Sequence, residues 1–208
     1  MTSAFDHPDW LASSLLADVG AYALSARIKP LDPAWRLWGP ALPVSVPPGD
    51  NLAIHHALTL CRAGEVLVID AQAYLERAVM GGIMTTQSKA AGLAGVVIDG
   101  AIRDVAGLAK LDIGIWARGA TPAGPYKDGP GEIGYPLACG GLAVMPGDLI
   151  AADEDGVVVI PRADAAAAVA AAEGHAKKEE ATFAAIASGK MDRAWIAETL
   201  TAKGVARA

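Results

Sequence analysis

Gly95-Val-Val-Ile-Asp-Gly-Ala-Ile-Arg-Asp104 is the stretch on which the fold of this chain turns. Gly95 to Ile98 is a short apolar run and predicts a buried β-strand. Asp99-Gly100 is a turn signal that closes it. Arg103 and Asp104 come just beyond. Polar groups past the C-terminal end of a buried strand are where α/β proteins tend to place chemistry. Arg offers a planar fork for a carboxylate, and Asp offers oxygens for a hard divalent metal. The pair points to a small, metal-bound, carboxylated substrate; a surface ion pair is the plain alternative.

Outward from this strand, the chain alternates. Leu52 to Cys61 predicts a helix after the turn Pro47-Pro-Gly-Asp-Asn51, with Asp50 or Asn51 as its cap. Glu65 to Asp70 predicts a buried strand, Ala73 to Val79 a short helix, and Met84 to Ala91 a further helix ending at Gly92. Gly39 to Val46 reads as a strand with prolines at its ends. Asp9 to Leu24 has helical apolar spacing. Leu108 to Leu111 fits a short helix and Ile113 to Arg118 a strand. Residues 119–136 form a Gly- and Pro-rich loop of a length that is often functional. Leu142 to Val144, Leu149 to Ala152 and Gly156 to Ile160 predict strands, with Asp153-Glu-Asp155 as a solvated hairpin turn. From Asp164 an Ala-rich helix runs to about Ser188, and Asp192 to Ala202 is a second one. The division expected is an α/β domain over 1–163 and a helical C-terminal extension of the same domain over 164–208.

Composition bounds the function. With 53% apolar and 19% charged residues among 208, the chain can bury a sizeable core. A net charge of −6 and no Lys/Arg-rich block disfavour nucleic-acid binding. No apolar run is long enough to span a membrane. Met1 to Trp10 lacks the pattern of a signal peptide. Cys61 and Cys139 make neither a CxxC nor a zinc spacing and read as buried thiols, so the expected location is cytoplasmic. Gly129-Pro-Gly-Glu-Ile-Gly134 matches GxGxxG, but prolines flank it and no helix follows, so it is no dinucleotide site. His55-His56 reads as one half-buried and one surface histidine, and His7 and His175 have no partners in sequence.

Gly81-Gly-Ile-Met84 is different, because two glycines before a helix let its first N–H groups face an anion. Gly82 lies 21 residues before Arg103, with one helix and one strand between. A unit of that size brings the helix start back beside the strand end. The amides of Ile83 and Met84 would then share a pocket with Arg103.

At these residues the chain resembles the family that contains 4-hydroxy-4-methyl-2-oxoglutarate aldolase and the regulator of ribonuclease activity A. The resemblance runs roughly from Pro40 to Pro161. It rests on Pro48-Gly-Asp-Asn-Leu52, Gly81-Gly-Ile-Met84, Gly95 through Asp104, Ala117-Arg-Gly-Ala-Thr-Pro122, Cys139-Gly-Gly141 and Pro146-Gly-Asp-Leu-Ile150. It implies an α/β fold of the swivelling β/β/α kind, a homotrimer or homohexamer, and a site between subunits with a divalent metal, Mg or Mn. It also implies that Asp104 holds the metal, Arg103 contacts a 2-keto acid, and the amides of Gly81 to Met84 bind its carboxylate. A Glu from a neighbour's C-terminal region is used in the family, and Glu179 or Glu180 stands in the matching region here.

One position departs from the aldolase pattern. Active aldolases of the family usually carry an Asp 21 residues before the Arg, where this chain has Gly82. The regulator branch often lacks the Asp after the Arg, which this chain retains as Asp104. The resemblance therefore implies a metal-dependent lyase of 2-keto diacids, an aldolase or an oxaloacetate decarboxylase, weakened at Gly82. The alternative it implies is a non-catalytic, protein-binding regulator.

Overall fold

The computed structural model describes residues 8–205. The expectations for His7 and for the first residues of the chain lie outside them. In chain order the elements are α1 (Ser13–Asp18), β1 (Tyr22–Ala23), β2 (Lys29–Pro30), β3 (Leu37–Ser45), α2 (Leu52–Leu60), β4 (Val66–Asp70), β5 (Ala78–Met80) and α3 (Gly82–Ala90). Then follow β6 (Gly95–Ile102), α4 (Val105–Leu108), β7 (Gly114–Ala120), β8 (Glu132–Ile133), β9 (Leu137–Cys139), β10 (Leu142–Val144), β11 (Leu149–Ala152), β12 (Val157–Ile160), α5 (Ala165–Ala187) and α6 (Ala194–Ala202).

Ten strands make one mixed sheet in the order β1-β12-β11-β3-β4-β6-β7-β2, with β5 on β6 and β8 on β3. The central strands β3, β4, β6 and β7 are parallel, and β11, β12 and β1 continue the sheet antiparallel. The parallel strands are buried on both faces, which is why they read as unbroken apolar runs. Along β4, Leu67 and Ile69 pack into one cluster with α2 and α3 residues such as Ile54 and Met84. Val66 and Val68 point into the opposite cluster with Trp116, Val144 and Ile150. A third cluster lies where Leu15 and Leu16 of α1 meet Ile160 and the alanines of α5.

The structure is the expected α/β fold with C-terminal helices, and it corrects several local readings. β6 does not stop at Asp99-Gly100 but runs to Ile102. Its first half pairs with β4 through Asp70↔Asp99, and its end pairs with β5 through Ala78↔Ala101 and Met80↔Ile102. Asp99 is tolerated inside the strand because its carboxylate binds Arg118 and accepts the Gly140 N–H at 2.7 Å. Ala73 to Val79 is not a helix: residues 71–77 turn, and Ala78–Met80 is a fully buried strand added to β6. The N-terminal helix is confined to Ser13–Asp18, since Gly20 takes a positive φ of 105° and ends it. The short helix expected at Leu108 to Leu111 lies at Val105–Leu108.

Only Ala172 of α5 is buried, and no residue of α6 is. The first half of α5 lies on α1 and β12; its second half presents Phe183 and Ile186, and α6 presents Trp195, all exposed.

Candidate active site

The parallel pairing of β5 with β6 builds the site. Because Met80 and Ile102 are partners, the residues that follow them, Gly81 and Arg103, leave the sheet side by side. The Arg103 N–H donates to the Met80 carbonyl at 3.0 Å. At Gly81 a Cβ would stand 2.7 Å from Asp104 Oδ2 and 2.9 Å from Arg103 Cγ, so no side chain fits. Gly82 begins α3, and its N–H donates to Asp104 Oδ2 at 2.9 Å. The carboxylate of Asp104 thus sits at the positive end of α3, where an anion is stabilised. Asp104 itself is left-handed, with φ 62° and ψ 29°.

Arg103 stays open. Its Nε is 3.8 Å from Asp104 Oδ2, too far for a hydrogen bond, and the two side chains are 41% and 53% exposed. The first-turn amides of Ile83 and Met84 have no intrahelical acceptor in reach. All four groups border one cleft of about 180 Å³, lined also by Asn51, His55, Pro125 and Lys127. A wider hollow of about 340 Å³ opens on the other side of Arg103 and Asp104, against Val105, Thr121 and Pro122.

The far wall of the cleft is the loop after β7, and Asp50 fastens it. Asp50 is buried; one of its oxygens accepts the Leu52 N–H at 2.8 Å, and the other accepts those of Asp128 at 2.6 Å and Gly129 at 3.0 Å. Burial pushes its carboxyl up, but those three N–H groups and the charge of Lys127 outweigh it and leave the pKa below the ordinary 3.8. Arg77 stacks on Tyr126 at 4.0 Å and donates to the Gly124 carbonyl at 2.7 Å. On the cleft floor, Asn51 donates to the Val79 carbonyl at 3.1 Å, and its Oδ1 is buried with no partner among the described residues. Burial, reinforced by Lys127, holds His55 below its ordinary pKa, so the imidazole is neutral at pH 7. The positive charges of Arg103 and Lys127 on the cleft wall suit an anionic ligand.

The donor set at Asp104 fits a hydrated hard cation. One carboxylate is half-exposed, and among the described residues the one hydrogen bond to it engages Oδ2, which leaves Oδ1 open. Mg²⁺ keeps several waters and needs one or two such oxygens.

The structure therefore brings together Arg103, Asp104 and Gly81 to Met84, and spends the Gly82 amide on Asp104. Glu179 and Glu180 are exposed on α5 and do not line this chain's cleft. Sequence reasoning passed over Asn51, His55 and Lys127. The double histidine is half-buried and exposed as read, and only the fold shows that the half-buried His55 borders the ligand space. The length of the loop after β7 was the available signal for Lys127.

Comparison with known proteins shows the family of the chain. The family described as RraA-like (Aldolase/RraA) matches residues 12–159. A Halalkalibacterium halodurans protein provisionally named 4-hydroxy-4-methyl-2-oxoglutarate aldolase is 44% identical over 143 residues, 69% of this chain and 68% of its own. The Thermus thermophilus protein named 4-hydroxy-4-methyl-2-oxoglutarate aldolase is 39% identical over 112 residues, 54% of this chain and 68% of its own. The structure of the RNA-processing inhibitor RraA from Thermus thermophilis superposes with a TM-score of 0.68 at 33% identity, covering 73% of this chain and 93% of that one.

Proposed function

The chain belongs to the RraA-like family, and on that premise we propose that it is a divalent-metal-dependent lyase that cleaves 2-keto diacids to pyruvate. The observation that carries this reading is the convergence of Arg103, Asp104 and the amide end of α3 on one cleft. The first-turn amides of Ile83 and Met84, beside Lys127, bind the 2-keto acid carboxylate. Arg103, whose guanidinium has no hydrogen-bond partner among the described residues, faces the negative charge that develops on the C2 oxygen as the C3–C4 bond breaks. Asp104 would hold Mg²⁺ or Mn²⁺, which when bound polarises the C2 carbonyl as a Lewis acid.

Gly82 then decides between the two reactions. Aldol cleavage of 4-hydroxy-4-methyl-2-oxoglutarate requires removal of the C4 hydroxyl proton. Decarboxylation of oxaloacetate requires none, since the electrons of the breaking bond come from a carboxylate that leaves as CO₂. With glycine at 82 the chain favours decarboxylation. The test is pyruvate release coupled to lactate dehydrogenase, with each substrate, with Mg²⁺ and after chelation, subtracting spontaneous oxaloacetate decay. Turnover of oxaloacetate with Mg²⁺ that is lost in Asp104→Asn supports the reading. Equal release from wild type and Asp104→Asn defeats it.

A second reading has its own support. The likeness to the RNA-processing inhibitor and the exposed Phe183, Ile186 and Trp195 favour a regulator that binds a protein partner. No pyruvate from either substrate would favour it.

A further inference from the structure

Away from the cleft, α1 and α5 bring three metal-type donors together. Asp18 is the last residue of α1, and His175 and Glu179 lie one turn apart on α5. Residues at i and i+4 share a helix face. One ligand atom from each of the three lies within 4.8 Å of the other two. His175 Nδ1 is 3.7 Å from Asp18 Oδ2, beyond hydrogen-bond distance, and is buried with no hydrogen-bond partner among the described residues.

The surroundings add two arguments. The helices are locked beside this group, because Leu15, Leu16 and Ala172 are buried between them and Ala168 and Ala176 pack against the same cluster. The donors therefore come from two elements with a fixed spacing. The charge is also uncompensated: Lys177, on the same stretch of α5, pairs with Glu173 at 2.8 Å, and neither Asp18 nor Glu179 has a Lys or Arg partner among the described residues.

We propose that Asp18, His175 and Glu179 form a second cation site, separate from Asp104, that takes a transition-type divalent metal such as Zn²⁺. An imidazole with two carboxylates suits Zn²⁺ better than Mg²⁺, which takes an all-oxygen shell. Tetrahedral Zn²⁺ bonds of about 2.0–2.1 Å put neighbouring ligand atoms about 3.4 Å apart. Side-chain rotation of the exposed Asp18 and Glu179 covers the remaining distance. Three protein ligands leave the fourth position open to water. The ion would staple the middle of α5 to the end of α1.

The test uses the full chain and two cations. Equilibrium dialysis with Zn²⁺ should give one ion per chain, retained in Asp104→Asn and weakened at least about 100-fold in His175→Gln and in Asp18→Asn. Co²⁺ should show visible absorption in wild type and Asp104→Asn, and lose it in His175→Gln. Saturating Zn²⁺ should raise the Tm of wild type and not that of His175→Gln. Unchanged zinc affinity in both His175→Gln and Asp18→Asn overturns the proposal. So does loss of all zinc binding in Asp104→Asn, which would place the ion in the cleft. Pyruvate release bears on the lyase reading alone, so the two proposals fail separately.

Discussion

Asp99 and Asp104 stand five positions apart on one stretch of chain, and each has an arginine close by. Asp99 is closed: its side chain is 8% exposed, that of Arg118 12%, and its two oxygens are bound by Arg118 and the Gly140 N–H. Asp104 is open: one oxygen accepts the Gly82 N–H and the other has no hydrogen bond among the described residues, with Arg103 beside the carboxylate but not hydrogen-bonded to it. The same two residue types do opposite jobs. A buried charge pair with both carboxylate oxygens engaged has little left to offer a ligand, and it punishes loss of either member. A half-exposed pair with spare donors adds little to stability and is free for chemistry.

The contrast breaks most visibly at Asp99. Asp99→Ala leaves Arg118 buried and unpaired and should cost about 3–5 kcal/mol in urea unfolding. A loss below about 1 kcal/mol, the range of exposed pairs, would erase the distinction. Arg103→Ala should do the reverse. It should lower turnover by about 3 kcal/mol, near a hundredfold, and move the unfolding free energy by no more than about 0.5 kcal/mol. A variant that unfolds as readily as Asp99→Ala would show Arg103 to be structural.

The two glycines sharpen the same contrast with a smaller effect. Gly81→Ala drives a Cβ to 2.7 Å from Asp104 Oδ2 and should lower kcat about tenfold by moving the carboxylate. At Gly82 a Cβ would lie 3.6 Å from Asp104 Oδ2, an ordinary contact. Gly82→Asp should therefore fold normally and raise aldol cleavage relative to oxaloacetate decarboxylation. An unchanged ratio in the folded variant removes the proposed role of that position.

The smallest effect is the pH response of a third carboxylate, Asp50. Its pKa in the folded chain is below 3.8, so its hold on Asp128 and Gly129 is complete above about that pH and is lost as pH falls further. The amide resonances of Asp128 and Gly129 should stay fixed from pH 7 down to about 4 and move only below it. A midpoint near pH 5 would mean that the carboxylate is not held by those amides.

How far the sequence spoke follows the same physics. Val66 to Ile69 and Val96 to Ile98 were legible because strands buried on both faces leave only apolar residues. Arg103-Asp104 and the double glycine were legible because their spacing encodes one helix and one strand. Asp99-Gly100 misled, since a turn signal and a satisfied buried carboxylate have the same letters. Ala73 to Val79 misled because Ala78–Met80 is strand only by pairing with β6, a long-range contact absent from local pattern. Asn51, Lys127 and the approach of Asp18 to His175 come from elements far apart in the chain, and no local spacing announces them.

The left-handed backbone of Asp104 has a practical consequence for mutagenesis. Few L-residues rest comfortably at φ 62°; Asn and Asp do so more readily than most, and Gly without penalty. Alanine there would confound lost metal affinity with a peptide chain pushed toward another basin. The informative series at 104 is therefore Asn, then Gly: the first deletes a charge and keeps the shape, the second deletes the side chain and keeps the bend.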